Sequence, residues 1–202
     1  MLNEIKVGPR KLEDGTTGEA GAGQSSEAII GQAHGKYYEA ASRHRLFWCA
    51  NQADTTWTIA LAGTHTGLMV SNPRMSNVNL AIVRATYVHV VGQAAEASIG
   101  LAVGYDADAE CTHTTPLTVY NAFLLGPHGQ ANADASGVMP TAPLWVEAYM
   151  SAFTAAALGG TSPVVVDVDG AIVIPPGAYV AICALTVTHG MASLMWEEVP
   201  IV

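Results

Sequence analysis

From about residue 45 to the end of this 202-residue chain, short apolar runs alternate with turn residues, and few segments keep a helical period long enough to form a stripe. In SIGLAVGY, Ile99, Leu101, Val103 and Tyr105 fall on one side and Ser98, Gly100, Ala102 and Gly104 on the other, large against small at the two-residue pleat of a strand. The runs RLFWCA, TTWTIAL, GLMVS, NLAIVRATYVHV, LTVYNAFLL, PLWVEAYM, PVVVDV, AIVI, AYVAICALTV and SLMWEEV read the same way. Roughly eight to ten such strands predict an all-β fold, an antiparallel jelly-roll-like sandwich. Asp169-Gly170 reads as a two-residue hairpin between VVVDV and AIVI, and Pro176-Gly177 as a type II turn. YMSAFTAAALGG is read as a short helix stopped by Gly159 and Gly160, or as a loop crossing between sheets.

Two of these strands lack a polar face. NLAIVRATYVHV carries Leu80, Ile82, Arg84, Thr86 and Val88 on one side and Ala81, Val83, Ala85, Tyr87 and His89 on the other, and AYVAICALTV repeats the pattern. The outer face of a two-layer sandwich normally meets water, so an apolar one predicts a subunit contact. Composition points the same way: the chain is 50% hydrophobic and 12% charged, about half the charged share of an ordinary soluble domain. A membrane helix does not explain this, because PLWVEAYMSAFTAAALGG is interrupted by Glu147 and GAYVAICALTVT is shorter than the roughly 20 residues a span needs. MLNEIKVGPRKLEDG has no apolar core of a secretory signal, so a cytosolic product is expected.

Residues 1–33 contain GPRKLEDGTTGEAGAGQSSEA, with almost no apolar period. They are expected to form an extended N-terminal arm, ordered only by lying on something else, ahead of a sandwich domain at residues 34–202. Lys6, Arg10, Lys11, Lys36, Arg43 and Arg45 balance six acids up to residue 45. Arg74 and Arg84 then face eleven acids, which gives the whole net charge of −9. A body this acidic should repel nucleic acid.

Motifs for chemistry are scarce. His34, His44, His65, His89, His113, His128 and His189 form no HxH or HxxxH pair, and GTHTGLM offers His65 alone where a metal-binding barrel needs several ligands. Cys49, Cys111 and Cys183 are odd in number and far apart, as small core residues are. DADAECTHTTP gathers Asp106, Asp108, Glu110 and His113 without the glycine-turned geometry of a calcium loop, and reads as a solvated connection. GEAGAGQSS lacks the lysine of a phosphate-binding loop, and no GxSxG is present. Asp167 and Asp169, about 7 Å apart along a strand, abut a turn, which explains their exposure more simply than glycoside hydrolysis. No catalytic residue, cofactor or metal is expected.

The stretch HGKYYEAASRHRLFW sets Lys36, Arg43, His44 and Arg45 beside Tyr37, Tyr38, Phe47 and Trp48. Such interleaving suits single-stranded nucleic acid, but the acidic body opposes it. Phe47 and Trp48 are read as entering the core on the first strand, with the basic residues facing acids of the same or a neighbouring subunit. Candidate interface residues are Lys36, Tyr37, Tyr38, Arg43, Arg45, Arg84 and Tyr87.

AHGKYYEAASRHRLFWCANQA, GLMVSNP, IVIPPGAYVAI and the closing SLMWEEVP resemble, over roughly residues 15–202, a group of tailed-bacteriophage virion structural proteins. The resemblance implies a jelly-roll head decoration or cement protein, made in the host cytoplasm and sitting on the capsid surface. It would bind the major capsid protein or another virion protein as a homo-oligomer, a trimer, with neither nucleic acid nor membrane as partner. The alternatives are a tail, collar or head-fibre component, or a receptor- or carbohydrate-binding module. The last would expose aromatics such as Trp57 or Trp145, for which a core position is the expected fate.

Overall fold

The computed structural model describes residues 10–11, 17–18, 35–53, 55–58, 61–90, 97–152, 164–185 and 188–201. The chain divides into two compact units, Met1–Tyr38 and Glu39–Val202. In the first, β1 (Arg10–Lys11) and β2 (Thr17–Gly18) pair antiparallel. The rest of the expected arm at 1–33 lies outside the described residues.

A single helical turn, α1 (Tyr38–Ser42), was not anticipated in the basic-aromatic stretch. Its end is set by His44, which takes a left-handed φ of 58° while Arg45 N–H reaches back to Ala40 O at 2.9 Å and His44 N–H to Ala41 O at 3.0 Å. That pair of bonds is a Schellman stop.

The strands of the second unit are β3 (Leu46–Ala50), β4 (Thr55–Thr56), β5 (Thr64–Ser71), β6 (Val78–His89), β7 (Ala97–Tyr105) and β8 (Thr112–Leu117). They continue with β9 (Tyr120–Asn121), β10 (Asn132–Val138), β11 (Leu144–Ala152), β12 (Val164–Ile174), β13 (Ala178–Ala184) and β14 (His189–Pro200). One sheet runs β11-β7-β13-β5-β10-β8 and the other β12-β6-β14-β3-β9, with β4 on β14. Every described pairing is antiparallel. Removing the excursion β8 to β10 leaves β3-β14-β6-β12 against β5-β13-β7-β11. This is the eight-strand order of a jelly roll with two Greek keys. The antiparallel sandwich expected from the two-residue period is therefore what forms.

Between the sheets lie Phe47, Leu68, Val70, Leu80, Ile82, Leu101, Val180, Ile182, Leu194 and Trp196, all buried. Each such side chain withdrawn from water contributes about 1.5–3 kcal/mol. Cys49 belongs to this core and Cys183 to a second cluster described below; all three cysteines are free thiols. At one end of the sandwich Asn72 ties three connections together. Its Nδ2 donates to Val78 O at 2.8 Å and Ile174 O at 3.0 Å, while its backbone carbonyl accepts from Gly177 N–H at 2.8 Å.

The apparent two-sided apolarity of β6 has a local cause. Along β14, Met195 pairs with Arg84 and the next residue, Trp196, with Ile82, so Val83 is an inserted residue. Leu80 and Ile82 point inward before this bulge, Ala85 and Tyr87 after it. The strand changes phase; it is not covered on both faces.

Asp169 and Gly170 do take positive φ, 54° and 83°, but they do not reverse the chain. Asp167 pairs with Arg84 and Ile172 with Ile82, so β12 continues along β6 with Val168–Ala171 looped out. The expected hairpin is a bulge within one strand. Pro176-Gly177 is as expected: Ala178 N–H bonds Pro175 O at 3.0 Å and Gly177 has φ 85°, a type II turn. Of the expected helix YMSAFTAAALGG, the part up to Ala152 is the end of β11, and residues 153–160 lie outside the described residues.

Candidate interaction surface

The outer faces of the two sheets differ. Over β5, β13 and β7 a second apolar cluster forms from Met69, Ala102, Met139, Tyr179, Ala181 and Cys183, with Leu61, Cys111 and Trp145 packed against it. It is covered by the segment 106–111, between β7 and β8, and by 139–143, which joins β10 on one side of the sheet to β11 on the other. Tyr179 Oη donates to Thr141 O at 2.5 Å, fastening the second segment. Gly100 makes the close packing of β11 possible: a Cβ there would meet Glu147 O at 2.0 Å and Trp145 Cζ2 at 2.8 Å. The run AYVAICA is buried at every position, so its apolarity on both faces is accounted for within one subunit.

The other sheet has no such lid among the described residues. The ladder registers lay out its outward side chains in rows. One row crosses five strands, Asp167–Arg84–Met195–Trp48–Tyr120. Flanking rows are Val165–Thr86–Ser193–Ala50 and Val173–Ala81–Glu197, and Val88 pairs with Met191 beyond them. Val88, Tyr120, Val165, Val173, Met191 and Val199 are exposed. Arg84, Asp167 and Glu197 are the charged residues at these outward ladder positions. Arg84 Nε donates to Asp167 Oδ1 at 2.6 Å, and Thr86 and Ser193 hydroxyls share a bond of 2.5 Å. Trp48 stacks on Tyr120 with ring centroids 4.9 Å apart.

The candidate interface residues are dispersed. Arg84 lies in the central row. Tyr87 does not reach the surface, contrary to expectation: the bulge at Val83 turns it inward, where it is 1% exposed, contacts Trp57 edge-on at 5.3 Å and bonds the Thr188 hydroxyl at 2.8 Å. Lys36 Nζ sits 5.3 Å from the Tyr37 ring centroid, and Tyr38 is exposed. Arg43 pairs with Glu39 one helical turn away, and Arg45 is half-buried at the start of β3. Missed in the sequence were Val165, Val173, Met191 and Met195. The signal lay in β14, where Met191, Ser193, Met195 and Glu197 alternate with Ala192, Leu194, Trp196 and Glu198, and register alone shows that the first set shares a face with Trp48.

A second exposed apolar feature is the turn Phe123–Leu125. Asn121 holds it, accepting from Phe123 N–H at 2.9 Å and donating to His44 O at 3.0 Å and Pro127 O at 3.1 Å. Leu125 has φ 67°, a strained choice for leucine.

Groups capable of chemistry are few. His113 Nδ1 bonds Asp134 Oδ2 at 2.5 Å, and His113 Nε2 lies 3.3 Å from Asn132 Nδ2. Burial holds the Asp134 carboxyl above its usual range, against the lowering effect of His113. His113 borders a cavity of about 430 Å³ lined largely by Pro116, Leu117, Val119, Ala131 and Ala133. Burial pushes the nearby Cys111 thiol up to about 12, so it is protonated and a poor nucleophile. In the acidic loop, Asp106 accepts the N–H groups of Asp108 and Ala109, and Glu110 that of Arg74. Among the described residues no group of three or more His, Cys, Asp or Glu is placed to hold a metal, and no helix is long and apolar enough to cross a membrane.

The fold and the exposed sheet define an all-β sandwich with one face available for contact. No protein-family model, curated protein or solved structure matches the chain.

Proposed function

We propose that this chain is a non-enzymatic structural protein of a phage particle, a decoration or cement subunit that binds the major capsid lattice as an oligomer. The observation that carries the reading is the contrast between two outer sheet faces: one covered by the chain's own segments, the other open with exposed valines and methionine and few charges. A surface of that kind is built to be covered by protein. The resemblance of AHGKYYEAASRHRLFWCANQA and IVIPPGAYVAI to virion proteins supplies the setting. Burial of Trp57 in the core and packing of Trp145 against the second cluster leave neither as the aromatic platform of a carbohydrate module.

The test is gradient purification of virions made by a phage carrying this gene, with the chain quantified against the major capsid protein. Co-sedimentation at a fixed ratio, lost when residues 1–33 are deleted from a still-folded body, is the expected result. Recovery only in the soluble lysate would remove the virion role.

A further inference from the structure

We infer that the outer face of β12-β6-β14-β3-β9 is where copies of this chain bind one another. Three features select this face and this occupant. The first is that the sheet edges are blunted against pairing. Edge strand β11 carries two bulges, β8 contains Pro116, β12 loops out Val168–Ala171, and β9 has two residues. These are the devices that keep sheets from joining edge to edge, so contact between copies must use a face.

The second is charge. Beyond residue 45 the chain carries two basic and eleven acidic residues. A second copy is therefore repelled over most of the surface, and least here, where Arg84 pairs with Asp167 and the other carboxylates are Glu197 and, in the loop of β12, Asp169. A basic partner would choose the acidic loops instead. An equally apolar, uncharged face is the fitting occupant, and this chain supplies one.

The third is area. Rows from Val88–Met191 to Val199 run about 25 Å along β14 at the rise of a strand, and the central row, which alone crosses five strands, spans about 20 Å. Two such faces together cover on the order of 1,000 Å², the lower bound of a specific interface. Met191 and Met195 on the central strand give it side chains that adapt to an opposing surface.

The inference rests on the oligomeric part of the proposed function and not on the particle: absence from purified virions leaves it standing, and a monomer in solution overturns it. Light scattering on the isolated full chain should give a multiple of 21.0 kDa. A variant with Val165→Lys and Val173→Lys should fall to a single subunit with an unchanged far-ultraviolet spectrum, whereas Leu124→Lys on the exposed turn should leave the mass unaltered. A wild-type monomer, a lysine variant that keeps its mass, or dissociation by Leu124→Lys would each overturn it. Should the lysine variant misfold, peroxide oxidation of the wild type decides. Met191, 38% exposed in the single subunit, should oxidise faster on dilution while Met75, 95% exposed, keeps its rate. A Met191 rate that does not change with protein concentration overturns the assignment.

Discussion

The two outer sheet faces carry similar side chains and meet different fates. On one, Tyr179, Met69 and Trp145 are covered because 106–111 and 139–143 cross above them. On the other, Val165, Val173 and Met191 stay open. An apolar strand pattern thus marks a face that must be covered without saying by what. The chain uses its own loops once and leaves the second face open among the described residues.

The comparison breaks most visibly if the lid is opened. Tyr179→Ala removes a fully buried ring and its bond to Thr141, and should cost about 4 kcal/mol in urea unfolding. A loss under about 1 kcal/mol would mean the lid contributes little.

Acid should probe the lidded sheet from beneath. His65 is 1% exposed, neither ring nitrogen has a hydrogen-bond partner, and burial lowers its pKa from 6.5 to about 4. Protonation therefore favours the unfolded chain. Stability is complete above about pH 6.5 and declines as pH falls toward 4, by about 3 kcal/mol. Asp134, held above its usual range, contributes the opposite slope, and is common to wild type and His65→Leu. The difference between the two proteins should show the decline, and parallel curves would refute it.

Gly100→Ala should cost about 2 kcal/mol, because its methyl group would strike the Glu147 carbonyl. Urea unfolding of Gly100→Ala and Arg84→Ala checks both: the latter should show about 0.5 kcal/mol or less, the pair with Asp167 being well exposed. A large effect of Arg84→Ala on the isolated subunit would mean that the open face has a structural role of its own.

Much of the fold was legible. Two-residue alternation, the Pro176-Gly177 turn and Phe47 entering the core are local properties, set by pleat geometry and by glycine's freedom at positive φ; Trp48, expected in the core beside it, faces outward on Tyr120, as the pleat requires of its neighbour. The site was less so. Arg84 lies on the outward face of β6, the face on which the alternation put it, whereas Tyr87 was misplaced because Val83 shifts the phase. That bulge is visible only against the registers of β14 and β12.

By itself the sequence determined the class of element and the sandwich, since side-chain period is written along the chain. Only the tertiary structure decided which surface is spare. Loops without periodicity choose which face they cross, and a one-residue bulge reverses which side chains face out. Both are settled by pairing between residues far apart in sequence.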